Sequence, residues 1–226
     1  MTYEPAVWAA AMGAVMAYRM RWWRAIPESR LFTMAFGALS IAYILAVQPI
    51  VEGFNRISIS LTGSATALLA SVLLATLSFS AFAVVALEIL ASSRHPGRYV
   101  GVAWSAAAVI FVASWFAGDA RKSETLNTFT AADLPAQIFA ITYVTLAITT
   151  GLTTAIATWR VLRRKGLRPR LSRATAGLFI AAASLIGLAA SLALNALVLH
   201  LPSESAQILE QIWWLPITVA LAVAGL

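Results

Sequence analysis

Side chains able to do chemistry are few in these 226 residues, and their spacing sets the first bounds on function. There are two histidines, His95 and His200, and no H-E-x-x-H run that would put two metal ligands and a base on one helical face. No G-x-x-x-x-G-K loop is present to cradle a phosphate, and no close pair of carboxylates lies inside an apolar stretch for acid–base work. The absence of cysteine removes disulfides, thiolate metal sites, thiol nucleophiles and palmitoylation. Lys122 and Lys165 fall in polar connections, so no amine sits midway along an apolar run to form a Schiff base with retinal. The expectation is a protein that is not an enzyme and holds neither metal nor cofactor.

What remains is a set of strong hydrogen-bonding groups: Gln48, Gln137, Asn195, His200, Gln207, Glu210 and Gln211. Glu210 stands about one turn into an apolar run, where an ionisable group is a functional candidate because burying it is costly. His200 is the member of this set whose ordinary titration lies near neutral pH. Their chemistry would be recognition. Gln48, Gln137, Asn195, His200 and Glu210 are the candidate ligand-binding residues, provided that the chain brings them to one place.

The elements that must do so are helices crossing a bilayer. The chain is 61% hydrophobic and 11% charged, with a mean hydropathy of +0.83, whereas a soluble domain carries about a quarter charged residues. A spanning helix needs about 20 largely apolar residues. Seven stretches approach or meet that length: Tyr3 to Tyr18, Leu31 to Val51, Ser60 to Leu90, Tyr99 to Ala117, Leu134 to Trp159, Ala174 to His200 and Ala206 to Leu226. The first is short and is followed by Arg19, Arg21 and Arg24, the reverse of the charge order in a cleavable secretory signal. Ala6 to Met16 has no polar face, so a crossing accounts for it better than a helix lying flat. The expected fold is an all-α bundle of seven transmembrane helices, one domain over residues 1–226.

Arginine and lysine orient this bundle because they resist translocation. Thirteen of the sixteen fall in the connections after the first, third and fifth runs, and three, Arg56, Arg121 and Lys122, fall on the other side. That asymmetry predicts an outer N-terminus, a cytoplasmic C-terminus and a plasma (inner) membrane location. The net charge of +7 therefore reads as a topology signal and a contact with anionic lipid headgroups, not as nucleic-acid binding. On this topology the polar set falls in the outer third of the helices. There it either converges on an outward-facing pocket or lies singly at the wet interface, where polar residues are ordinary.

Several faces suggest how the helices meet. Gly177, Ala181, Ser184, Gly187, Ser191 and Asn195 fall within about 120° of arc, a small-residue surface suited to close packing. Thr142, Thr145, Thr149 and Thr153 form a stripe flanked by Thr150, Thr154 and Thr158, either a packing surface or a polar path. Pro216 kinks the last run. Glu88, near the inner end of the third run, is within reach of Arg94 or the basic connections. Gly118 to Asp133 is long enough for an extracytoplasmic cap, and Arg160 to Arg173 is a dense basic patch.

The short first run, the basic-aromatic Arg19-Met20-Arg21-Trp22-Trp23-Arg24, the long fourth connection and the Arg-rich fifth together resemble a group of actinobacterial seven-helix integral membrane proteins described as transporters. The resemblance is one of layout over the whole chain and carries no site residue across. It implies a cytoplasmic C-terminal region, in keeping with the ending Ala224-Gly225-Leu226, which has no basic flank and reads as the edge of a membrane portion of a longer chain. The leading functional expectation is a sensor or scaffold module that relays an extracytoplasmic signal to a cytoplasmic region. The rivals are a small solute transporter and an accessory subunit of a larger membrane complex.

Overall fold

The computed structural model describes residues 4–24, 29–91, 96–118, 133–163, 169–194 and 203–225. These form eight helices and no strand: α1 (Glu4–Met20), α2 (Ser29–Ile44), α3 (Gln48–Thr62), α4 (Ala67–Ala91), α5 (Pro96–Ala117), α6 (Leu134–Leu162), α7 (Pro169–Leu194) and α8 (Ser203–Gly225). Helices α4, α5, α6 and α7 are each long and apolar enough to cross a bilayer, and α2 with α3 makes a fifth candidate if the bent pair is one span. The protein is an all-helical membrane protein.

The largest departure from the sequence expectation is α3. A single second helix was expected to run to Val51 and a third to begin at Ser60. Instead α2 stops at Ile44, α4 starts at Ala67, and α3 lies between them, bent 86° from α2. Proline causes the first break. Pro49 has no N–H to continue the ladder of α2, but it suits the first turn of a new helix, where its missing donor is no loss. Gly63 causes the second: it ends α3 in the left-handed region, φ 70°, with its N–H on the Ile59 carbonyl. Averaged hydropathy hides both breaks because the residues around them stay apolar.

Helices α1, α2, α4, α6, α7 and α8 pack side by side in that order, and α8 closes back onto α1. Helix α5 lies outside this ring against α4 and α6. Hydroxyls stitch the early helices together: Ser40 donates to the Ala9 carbonyl at 2.8 Å, Ser78 to Ala35 at 2.8 Å and Ser71 to Ala42 at 3.1 Å. Small residues do the same for the late ones. A Cβ on Gly177 would stand 2.5 Å from the Ala220 carbonyl, and one on Gly187 would strike the Trp213 ring. The expected small-residue face of α7 is therefore where α8 packs, with Ala181 and Ser184 also buried. Phe32, Phe36 and Phe82 fill the ring near the ends of α1 and α8, edge to face at 5.1–5.3 Å.

Pairwise contacts place the helix ends in two groups. The end of α1, the start of α2, the ends of α4, α6 and α8 and the starts of α5 and α7 share one end of the bundle. Helix α3 and the starts of α4 and α6 share the other, together with the end of α5, as the Trp115 indole bond to the Ala65 carbonyl (3.0 Å) and the Trp115–Phe139 contact require. Arg19, Arg21, Arg24, Arg30, Arg98, Arg160, Arg163 and Arg173 all belong to the first end.

Candidate functional site

Of the five sequence-predicted site residues, two have described side chains. Gln48 opens α3, is exposed, and donates through Nε2 to Glu52 Oε1 at 3.2 Å along its own helix. Gln137 is exposed on the first turn of α6, where its backbone N–H bonds the Asp133 carbonyl at 3.0 Å. Asp133 caps that helix, its Oδ1 accepting the Ala136 N–H at 2.8 Å. Gln48 and Gln137 thus stand at the same end of the bundle. Glu210 belongs to α8, while Asn195 and His200 lie outside the described residues, as does most of the connection expected to form a cap.

Helix α8 is where the structure concentrates specific contacts. Trp213 lays its ring over Gly187 and donates through Nε1 to Ser191 Oγ at 2.9 Å. Trp214 meets Tyr43 edge to face at 5.4 Å and stacks along Phe79 at 6.3 Å. One turn on, the Tyr43 and Thr218 hydroxyls share a hydrogen bond of 2.7 Å in a fully buried setting. Pro216 lies between these anchors and has no N–H for the Ile212 carbonyl, so α8 lacks a bond of its own ladder beside the residues that tie it to its neighbours. Sequence reasoning marked Pro216 and Ser191 but missed Tyr43, Trp213, Trp214 and Thr218. The doubled tryptophan two residues before a proline was the available signal.

Inward of these anchors, Phe79, Phe82, Thr150, Thr154, Leu185 and Leu221 line a cavity of about 10 Å³, room for roughly one water-sized sphere. The two threonines make it look polar, but their hydroxyls bond carbonyls one turn back, Thr150 to Leu146 at 2.7 Å and Thr154 to Thr150 at 2.8 Å. This revises the threonine stripe. Thr150, Thr154 and Thr158 face the bundle interior, whereas Thr145 and Thr149 are exposed on the outside. Neither Gln48 nor Gln137 is among the residues that line it.

At the opposite end from Gln48, Arg19 closes α1 onto α8. Its Nη1 donates to the Gly225 carbonyl at 3.1 Å, and its guanidinium lies 4.5 Å above the Phe32 ring. Gly225 is buried between Val15 and Phe36, a space that no side chain would share. A cation on the last carbonyls of α8 also answers the negative end of that helix. Three more arginines at this end stack on aromatic rings: Arg21 on Tyr18 at 4.6 Å, Arg163 on Trp159 at 4.7 Å and Arg30 on Trp23 at 5.9 Å. Such pairs suit a headgroup layer, with the ring at the apolar edge and the cation toward water. Glu88 is exposed at this end, and its expected partner Arg94 is outside the described residues.

No protein-family model, curated protein or solved structure matches this chain. Among the described residues no three of His, Asp and Glu come together as a metal site would need. The arrangement offers exposed polar groups at one end, a cationic aromatic belt at the other, and one proline-weakened helix reaching between them.

Proposed function

We propose that this chain is a seven-helix module of the plasma membrane, N-terminus outside, that receives a signal at its outer end and relays it through α8 to a cytoplasmic partner or region. In this reading α1, α2, α4, α5, α6, α7 and α8 cross the bilayer in alternating directions, and α3 stays at the outer face. The short α1, 17 residues or about 25 Å, is extended at the interface by the snorkelling arginines and the aromatic residues after it. The arginine-rich end faces the cytoplasm and its anionic headgroups. Gln48, Gln137, Asn195, His200 and Glu210 are the proposed outer contacts for the signal.

The observation that carries the relay is the set of anchors on α8: Trp213 and Trp214 above Pro216, Thr218 below it, and Arg19 at Gly225. A displacement at Glu210 has a stiff path to the proline and a defined latch to act on beyond it. A solute carrier would instead need polar groups or an unwound backbone at the midplane, and the threonines lining the described interior cavity already hydrogen-bond their own helix.

The test uses the cysteine-free chain. With spin labels at Met20→Cys and Val223→Cys in lipid nanodiscs, Glu210→Gln is expected to shift the inner α1–α8 distance distribution, and Asn195→Ala to shift it less. An inner distance indifferent to Glu210→Gln would remove the relay. Uptake of a solute into proteoliposomes, lost on the same substitution, would favour the carrier.

A further inference from the structure

We infer that α3 is an in-plane helix whose apolar face, Ile50, Phe54, Ile57 and Leu61, is seated in the acyl chains of the outer leaflet. This rests on α2 crossing the bilayer, and it assigns a lipid-binding surface that the relay itself does not use.

Helix α3 has three faces. At 100° per residue, Ile50, Phe54, Ile57 and Leu61 fall within about 60° of arc, and all four are exposed, Leu61 at 77%. Gln48, Glu52, Arg56 and Ser60 are also exposed and form a mainly polar face centred roughly 150° away on the same geometry, with the exposed Ile59 as its one large apolar member. Between the two, Val51, Asn55 and Ser58 are buried.

The buried face fixes the roll of the helix, because it caps α4. Asn55 Oδ1 accepts the Ala67 N–H at 2.9 Å, and Ser58 Oγ accepts the Thr66 N–H at 3.2 Å while donating to the Ser64 carbonyl at 2.9 Å. These bonds satisfy donors at the start of α4 that would otherwise lack partners. With the buried face held against the bundle and α3 turned 86° from α2, one remaining face points along the membrane normal toward the lipid and the other toward water. Fifteen residues, about 22 Å long, are too few to cross a hydrocarbon core of about 30 Å.

Acyl chains are the occupant because the apolar face continues the exposed apolar surface of α2, which faces lipid where α2 crosses the bilayer. Ile41 and Ile44 are exposed on the last turn of α2, immediately before the bend, and Ile50 follows on the first turn of α3. Glu52 and Arg56 cancel in charge, so the contact is apolar-driven and indifferent to lipid charge.

Single nitroxide labels at Phe54→Cys, Ile57→Cys, Leu61→Cys, Glu52→Cys and Arg56→Cys, read for collision with oxygen and with a water-soluble nickel chelate, test this in phosphatidylcholine nanodiscs. The three apolar positions are expected to favour oxygen and the two polar ones nickel, unchanged on adding a quarter of phosphatidylglycerol. Nickel access at Ile57 and Leu61 would overturn the inference, as would shielding from both probes, the signature of a second copy or of residues 119–132 covering the face. A label at Ile41→Cys separates the two readings: if it too meets nickel, α2 is not in the bilayer and the topology has failed; if it meets oxygen while Ile57 meets nickel, the α3 assignment alone is wrong.

Discussion

Arg19 ties α1 to a carbonyl 206 positions away in sequence, at the end of α8. Replacing it with alanine removes a charged hydrogen bond to Gly225 and the stack on Phe32. The expected loss is about 1.5–3 kcal/mol, read as a lower unfolding midpoint in nanodiscs, with Arg19→Lys recovering part of it because the ammonium keeps the charge without the planar fork. Tyr43→Phe is milder, about 0.6 kcal/mol and under about 2, the range for hydrogen bonds between membrane helices. Gly187→Ala forces the Trp213 ring to move and costs about 1–3 kcal/mol by overpacking; the indole emission should shift with it. Gly177 and Gly187 were legible in the sequence because their spacing marks one helical face. Arg19 was legible only as a topology signal, since nothing local says which distant carbonyl a cation will meet. The threonine stripe was half legible: the back-bonding follows from residue type, but which threonines face inward depends on how α6 is rolled against α4 and α7.

At the level of elements, the starts and stops of α5 and α6 follow from composition to within a few residues, whereas α3 does not. Its boundaries are set by Pro49 and Gly63, single residues inside an apolar background, and its identity by a three-way division of faces that a hydropathy average erases. Gly63→Val should be destabilising by about 1–2 kcal/mol or more, the left-handed penalty for a side chain, while Gly63→Asn should be tolerated. Asn55→Ala strips the cap from α4 and is expected to cost about 1 kcal/mol. Asn55→Asp, which keeps the acceptor, should cost less in the same thermal assay. If Asn55→Ala leaves the midpoint unchanged, the clamp between α3 and α4 is not a source of stability. The candidate site is the least legible part, because polar residues near helix ends look alike in sequence whether they converge or stand alone. Gln48 bonding Glu52 along its own helix shows how such a residue can be satisfied locally.

For the whole molecule, the uneven placement of arginine and lysine, thirteen to three across the apolar runs, has a counterpart in space: nine arginines among the described residues, Arg170 of α7 included, belong to one end of the bundle. Composition alone was enough to make this a helical membrane protein, and charge alone to propose its direction. The relay and the lipid-seated α3 both depend on the proposed orientation, with the Arg19–Gly225 end cytoplasmic and the α3 end outside. The most direct measurement is labelling of single cysteines by a membrane-impermeant maleimide in intact cells. Glu52→Cys and Gln137→Cys should react at once, and Arg98→Cys and Arg163→Cys only after permeabilisation. The reverse pattern, or reaction of all four in intact cells, would overturn this orientation.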